Sequence, residues 1–237
     1  GGPQGYFMPT QHLLSLYQSD NGGKLDPRFH TWFNTQWNAN QTYAWTESDI
    51  TNYGKSLSIK DQVIADGDLA IKFVMPQDDD YATEIANQAT SNYVLINYAD
   101  LYDDTNKSIK MTYNGAESQL RYLFPSLNKH NSSNHYVVNE GSRRNGNLDG
   151  TFMMRMSEIY LIAAELDIYL NGGANAMGYI NKVRQRAGAD LLNGTATIRT
   201  VLDERGRELC GEYCRFYDLK RTGMFKDKTY LQETRPE

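Results

Sequence analysis

The sequence has two cysteines, Cys210 and Cys214, and no second pair. At four-residue spacing on a helix their side chains share a face in an orientation poorly suited to a disulfide. With no histidine near them in sequence they make no zinc signature, and they are expected as buried free thiols. Basic charge is not in excess either. The 24 Lys and Arg stand against 29 Asp and Glu, for a net charge of −5, which leaves no electrostatic footprint for nucleic acid. No apolar run approaches the roughly 20 residues of a membrane-spanning helix. Catalytic signatures are missing as well. His12, His30, His130 and His135 form no HExxH and no i,i+4 pair, and neither a glycine-rich phosphate loop nor a G-x-S-x-G elbow occurs. The paired carboxylates of a glycosidase would leave no motif, so an enzyme reading rests on that alone. The expectation is a binding protein with no catalysis, no cofactor and no metal.

What is present is enough for a sizeable core: 237 residues, 40% apolar and 22% charged. The three tryptophans fall close together. Trp32, Phe33, Trp37, Tyr43, Trp45 and Tyr53 are interleaved with Asn34, Gln36, Asn38, Asn40 and Gln41. Neither helical nor alternating period fits, so the stretch reads as loop with short strands. Leu, Ile and Val are scarce there, which is unusual for core. Aromatic faces beside amide donors and acceptors suit a sugar, whose C–H face stacks on indole while its hydroxyls find hydrogen bonds. Core packing, glycan contact and a protein interface all remain open. On the glycan reading the contact residues are Trp32, Trp37, Tyr43 and Trp45, with Asn38 among the amides.

Upstream, Thr10 is placed to cap a short helix from Gln11 to Tyr17, closed by Asp20-Asn21-Gly22-Gly23. Downstream, residues 57–125 look like sheet. Gln62 to Ala65 and Leu69 to Met75 read as a hairpin about Asp66-Gly67. Tyr93 to Tyr98, Ile109 to Tyr113 and Gln119 to Phe124 are further strand candidates, with a turn at Asn114-Gly115. The acidic runs Asp78-Asp79-Asp80 and Asp103-Asp104 read as solvated loop; calcium would want a spaced set of oxygen ligands that is not there. From Asn128 to Gly150 the chain is polar, rich in turn formers, and reads as a long connection.

The last third is helical. Met156, Ile159, Tyr160, Ala163, Leu166 and Leu170 recur at the spacing of an amphipathic helix stopped by Gly172-Gly173. A second helix carries Ala176, Ile180, Val183 and Ala187 and ends at Gly188. A third, capped by Thr197 or Thr200, carries Val201, Leu202, Leu209, Phe216 and Tyr217. Glu204 with Glu208, and Glu208 with Glu212, are like-charge pairs that cost stability unless arginines answer them. A salt-bridged surface and an arginine–carboxylate network between helices are both open. On the network reading Arg155, Glu158, Glu165, Arg184, Arg205 and Arg215 are structural.

These blocks carry a resemblance. R-x-SEIYLIAAE, IN-x-VRQRAG, ER-x-REL and E-x-x-RFYDLKRTG, in that order, resemble the C-terminal signature of the SusD/RagB family. YFMPTQHLLSLY, LDPRF and RYLFPSLNKH resemble weaker landmarks of it. Tyr213 stands where the family usually has glycine, and the chain ends at Arg235-Pro236-Glu237 before the usual proline-rich tail. The resemblance implies an α+β fold: a C-terminal helical layer of three helices with preceding short strands, hairpins and long loops. It implies one SusD-like C-terminal domain over 1–237, in which 1–150 face the ligand and 151–237 hold the helical signature. Tetratricopeptide-type helices and a lipidated N-terminus are expected upstream, since the chain opens Gly-Gly-Pro and reads as an excised segment. Tyr160, Ile162, Ile168 and Tyr169 lie around the first helix on several sides, and those absent helices are expected to cover them. The implied role is non-catalytic capture of an oligosaccharide or polysaccharide at the cell surface of the outer membrane, for delivery to a TonB-dependent, SusC-like transporter. The alternatives are a peptide or protein capture module of the same architecture, or a helical scaffold for the transporter.

Overall fold

A computed structural model of the chain describes residues 8–103, 105, 108–110, 123–129, 135–139, 142–147, 153–212 and 214–227. Among them the elements in order are α1 (Gln11–Gln18), α2 (Arg28–Trp32), β1 (Phe33–Asn34), β2 (Gln36–Asn38), β3 (Tyr43–Ala44), α3 (Glu47–Asn52), β4 (Val63–Ile64), β5 (Leu69–Val74), α4 (Tyr81–Asn87), β6 (Val94–Asn97), α5 (Tyr98–Leu101), β7 (Tyr102–Asp103), β8 (Ser108–Ile109), β9 (Ser126–Leu127), β10 (His135–Asn139), β11 (Ser142–Asn147), α6 (Met156–Asn171), α7 (Ala176–Ala187), α8 (Ile198–Glu208) and α9 (Arg215–Arg221). The fold class is α+β. The turn at Asn114-Gly115, most of the strand candidates from Ile109 and from Gln119, and Asp104, His130, Tyr213 and the terminal Arg235-Pro236-Glu237 lie outside the described residues. The chain divides into two compact units, 1–126 with 223–237, and 127–222.

In the first unit Thr10 caps α1, its hydroxyl accepting from the Leu13 amide at 3.2 Å. A cluster of rings forms the core behind it. Phe29 stacks on Phe33 with centroids 5.3 Å apart, and Tyr17 meets both at 5.8 and 5.7 Å. Phe73, Val74, Met75, Leu95 and Ile96 close the core from the sheet. That sheet has three strands, β2-β5-β6. β5 and β6 run parallel across the α4 crossover, and β2 pairs antiparallel with β5.

The hairpin expected at Asp66-Gly67 is not there. β4 pairs with β3 and β5 pairs with β2, so the two supposed arms lie along one partner. The antiparallel pairs run Gln36↔Lys72 and Trp37↔Ile71, then, shifted by one residue at a bulge between Trp37 and Asn38, Asn38↔Leu69, Tyr43↔Ile64 and Ala44↔Val63. Between these pairs the Ala39 amide donates to Asp68 O and the Gly67 amide to Ala39 O. Residues 36–45 and 62–72 thus make a single ribbon. Asp66-Gly67 is a kink within its second arm: Gly67 has φ +90°, and the Asp68 carboxylate accepts from the Ala65 amide at 3.1 Å. The residues favouring a tight turn are present, but the pairing partner comes from upstream.

In the second unit, the stretch expected as a long connection contains the antiparallel pair β10–β11, with register His135↔Asn147 and Val137↔Asn145. Among the described residues the helices of this unit number four, not three, because the third breaks at Glu208 and resumes as α9. Cys210 and Cys214 fall in and after that break, partly buried and in no disulfide. Gly172 and Gly188 end α6 and α7 in the left-handed conformation, φ +66° and +71°, which glycine adopts without steric cost. Leu161 and Ala164 of α6, Ala176, Ile180 and Val183 of α7, Ala196 just before α8 and Val201 of α8 form the core.

The packed face of α6 differs from the expected stripe. Met156, Ile159, Leu166 and Leu170 are exposed, whereas Ser157, Leu161, Ala164, Glu165 and Asp167 are buried. Small residues let α7 and α8 approach closely on that side, and partners hold its two carboxylates. Asp167 accepts from Asn171 Nδ2 at 2.9 Å and the Asn175 amide at 2.6 Å, and Glu165 pairs with Arg221. Tyr160 and Ile168 pack partly against the core, while Tyr169 is exposed.

Arginines do answer the like-charge pairs of α8. Glu204, fully buried, accepts from Arg184 Nη1 at 3.0 Å and Arg207 Nη1 at 3.1 Å. Glu208, also fully buried, pairs with Arg155 and Arg186. Arg205 Nε donates to Asp218 Oδ2 at 2.7 Å, and Nη2 lies 3.6 Å from Glu158. Arg215 Nη1 donates to Leu202 O at 2.7 Å. Glu212 takes Arg155 and Lys129. Burial alone would raise its pKa, but those hydrogen bonds outweigh it and hold the carboxyl below its ordinary range. Lys129 is pushed down, because burial takes more from the ammonium than Glu212 returns.

Breaking such a group strands charge. Glu204→Ala leaves two buried guanidinium groups facing each other, and is expected to cost about 3–5 kcal/mol in urea denaturation. The triple change Glu204→Leu, Arg184→Met, Arg207→Met should recover most of that loss. A loss for Glu204→Ala alone below about 1 kcal/mol would mean the network behaves as a solvated surface.

Candidate ligand-binding surface

The aromatic–amide stretch is split by the fold between inside and outside. Phe33 and Trp45 go in; Trp32 and Trp37 are half-buried and Tyr43 is exposed. Trp32 ends α2, and one side of its ring meets the Arg28 guanidinium at 5.8 Å. Arg28 is itself buried and clamped by Asp26, Nε to Oδ1 at 2.9 Å and Nη2 to Oδ2 at 2.7 Å. Trp37 lies on β2 opposite Ile71, and Asn38 next to it is exposed.

Tyr43 lies on β3 opposite Ile64, and its hydroxyl donates to Asp49 Oδ2 at 2.8 Å. Asp49 also closes the capping box of α3 with Thr46. The phenol is pushed up by that hydrogen bond, then by burial and the Asp49 charge. Burial would raise Asp49, but the Thr46 hydroxyl and amide and the Tyr43 hydroxyl together hold it below its usual range. At about 3.3 Å per residue, Trp37 and Tyr43 sit at most about 20 Å apart along one arm. They can serve separate units of an extended ligand.

Trp45 is a correction. It is 3% exposed, its Nε1 donates to Asn92 Oδ1 at 2.9 Å, and Tyr53 meets it edge-on with centroids 6.3 Å apart. No face of this indole is open to a sugar. The reason is register: Trp45 lies where the ribbon turns into α3, over the loop that carries Asn92. Beneath it Lys55 is buried, its ammonium 5.6 Å from the Trp45 ring and 5.8 Å from Tyr93. Lys55 Nζ donates to Gln88 O at 2.6 Å, Ser91 O at 3.1 Å and Ser91 Oγ at 2.8 Å, so all three protons are used. Nearby Lys72 Nζ bridges Asp80 and Glu84, the latter at 2.7 Å. Tyr93 donates to Glu84 and is pushed up to about 12 by burial and then by that carboxylate.

The second arm of the ribbon escaped the sequence reading. Gln36, Asn40, Gln41 and Thr42 on the first arm face water together with Asp66 and Asp68 on the second. The Asp66 amide donates to Thr42 Oγ1 at 3.3 Å, tying the arms at the kink. Asp66-Gly67 hid this by imitating a hairpin turn. The near-continuous apolar run from Leu69 to Val74 was the available signal that β5 needs a partner on each side. Among the described residues no group of three or more His, Cys, Asp or Glu is gathered as for a metal, and no helix is long and apolar enough to cross a membrane.

The chain matches the SusD family over residues 1–237 and belongs to it. It is similar to the SusD-like protein P25 of Formosa agariphila, 41% identical over 95 residues, which cover 37% of this chain and 18% of that protein. It is also similar to the starch-binding protein SusD of Bacteroides thetaiotaomicron, 40% identical over 79 residues, 33% of this chain and 14% of that protein. The matched parts thus span less than a fifth of these relatives' own length. No solved structure matches.

Burial sets a pH signature here. Lys55 is brought down to about 8 from its ordinary 10.5. Between those values the unfolded chain holds a proton that the folded chain has lost, so stability rises with pH through that window. Thermal unfolding followed at pH 8 and pH 10 should therefore show a gain in the parent chain relative to Lys55→Met. Identical pH responses in the two would contradict the burial of a strained ammonium.

Proposed function

We propose that the chain is the C-terminal, ligand-binding part of a SusD-like protein. It captures an oligosaccharide or polysaccharide without catalysis and passes it to a TonB-dependent, SusC-like transporter. Residues 1–237 form one functional domain, preceded in the parent protein by tetratricopeptide-type helices and a lipid anchor in the outer membrane, facing the cell surface. The observation that carries the reading is the ribbon: Trp37 half-exposed, Tyr43 and Asn38 exposed, with amides between them, and Trp32 upstream at the end of α2. Rings at the edge of solvent offer stacking area, and fixed amides offer donors and acceptors that match sugar hydroxyls. Family membership supports it independently, and a relative in the family is named for starch binding.

A second reading, protein capture by a helical face, is favoured by the exposed stripe Met156, Ile159, Leu166 and Leu170 of α6. The two readings place the contact on different units. Trp37→Ala should weaken glycan binding roughly ten-fold, about 1.4 kcal/mol, in isothermal titration calorimetry with the melting temperature unchanged. Trp45→Ala should act the other way, lowering stability by about 3–5 kcal/mol as a core truncation. Loss of binding on Leu166→Ser with Trp37→Ala silent would favour the helical face.

A further inference from the structure

The charge distribution on the ribbon narrows the ligand class, given the glycan reading on which this rests. Residues 31–46, which carry Trp32, Trp37, Asn38, Tyr43 and Trp45, contain no charged side chain. Among the described residues the exposed charges that border the ribbon are acidic apart from Lys60. Asp61, Asp66 and Asp68 are exposed on or beside its second arm, and Glu47 and Asp49 sit at the start of α3.

Cations on the ribbon and the elements bonded to it are already engaged among the described residues. Arg28 is buried against Asp26. The Lys55 ammonium spends its three protons on Gln88 and Ser91. Lys60 faces Glu47 at 3.4 Å, and Lys72 lies between Asp80 and Glu84. A carboxylate or sulfate on a sugar needs a guanidinium or ammonium to replace its water. Among the described residues it would meet exposed aspartates, and the nearest exposed ammonium, Lys60, is shared with Glu47. Hydroxyls make no such demand, and are served by Gln36, Asn38, Asn40, Gln41 and Thr42.

We propose that the ribbon takes uncharged glycans and rejects those bearing uronate or sulfate groups. The discrimination comes from the acidic border, which acts against anions at distances where hydroxyl recognition is indifferent to charge. Binding to a neutral chain involves no ion pair, so it should be nearly independent of salt, unlike an interaction held by charge.

Native affinity gels with the full chain test this directly. The neutral matrices are galactomannan, xyloglucan and amylopectin; the anionic ones are polygalacturonate, alginate and dextran sulfate. The expected result is retardation by at least one neutral polysaccharide and by none of the anionic ones. Trp37→Ala should weaken that retardation markedly, and in the parent chain the retardation should change by less than about two-fold from low to high salt. Retardation by an anionic matrix, alone or equal to a neutral one, overturns the charge inference and leaves glycan binding standing. Retardation by none of the six overturns the glycan reading, and this inference with it.

Discussion

Two fully buried carboxylates on α8, Glu204 and Glu208, fix the arrangement of the helical unit. Each is desolvated and sits one turn from the other, so without counter-charge the helix would be unstable where it lies. The counter-charge comes from separate elements. Arg184 and Arg186 come from the end of α7 and Arg155 from the residue before α6, while Arg207 comes from α8 itself. A guanidinium reaches a carboxylate in a planar fork, so each pair constrains direction as well as distance. The crossing of α6 and α7 over α8 follows from those pairings together with the small residues Ala164 and Ala176 between them. Arg205 and Asp218 extend the same device to α9.

This explains which parts of the unit were legible in the sequence. Caps and stops were plain, because Thr197, Gly172 and Gly188 act through local backbone geometry. The charge network was legible as a choice between two readings, since alternating arginines and glutamates show their spacing but not their burial. The packed side of α6 was not legible. Periodicity finds the stripe Met156, Ile159, Leu166 and Leu170, yet the side that packs holds Ser157, Glu165 and Asp167, which hydropathy scores as exterior. Their burial depends on Arg221, Asn171 and Asn175, partners that only tertiary structure supplies.

In the ribbon unit the same limit appears in another form. Sequence placed Trp32, Trp37, Tyr43 and Trp45 in one group, and the fold separates them by register. Trp45 is drawn under the loop at Asn92 and packs with Tyr53 and Lys55, while Trp37 and Tyr43 stay at the water boundary. Composition told that the stretch is short of Leu, Ile and Val, but the missing core residues come from elsewhere in the chain, notably Phe73, Leu95 and Ile96. Asp66-Gly67 misled because a local turn signal carries no information about which strand lies alongside. Pairing of 36–45 with 62–72 is non-local, and nothing in a two-residue motif encodes it.

The two units therefore differ in character: buried ion pairs give the helical unit its shape, and the ribbon presents aromatic and amide groups to water, where a sugar is proposed to bind. Hydrogen–deuterium exchange of the chain with and without saturating neutral polysaccharide, such as galactomannan or xyloglucan, tests that division most directly. The account predicts slowed exchange confined to 36–45 and 62–72, with amides of α6, α7 and α8 unchanged. Protection centred on α6, with the ribbon unaffected, would contradict it.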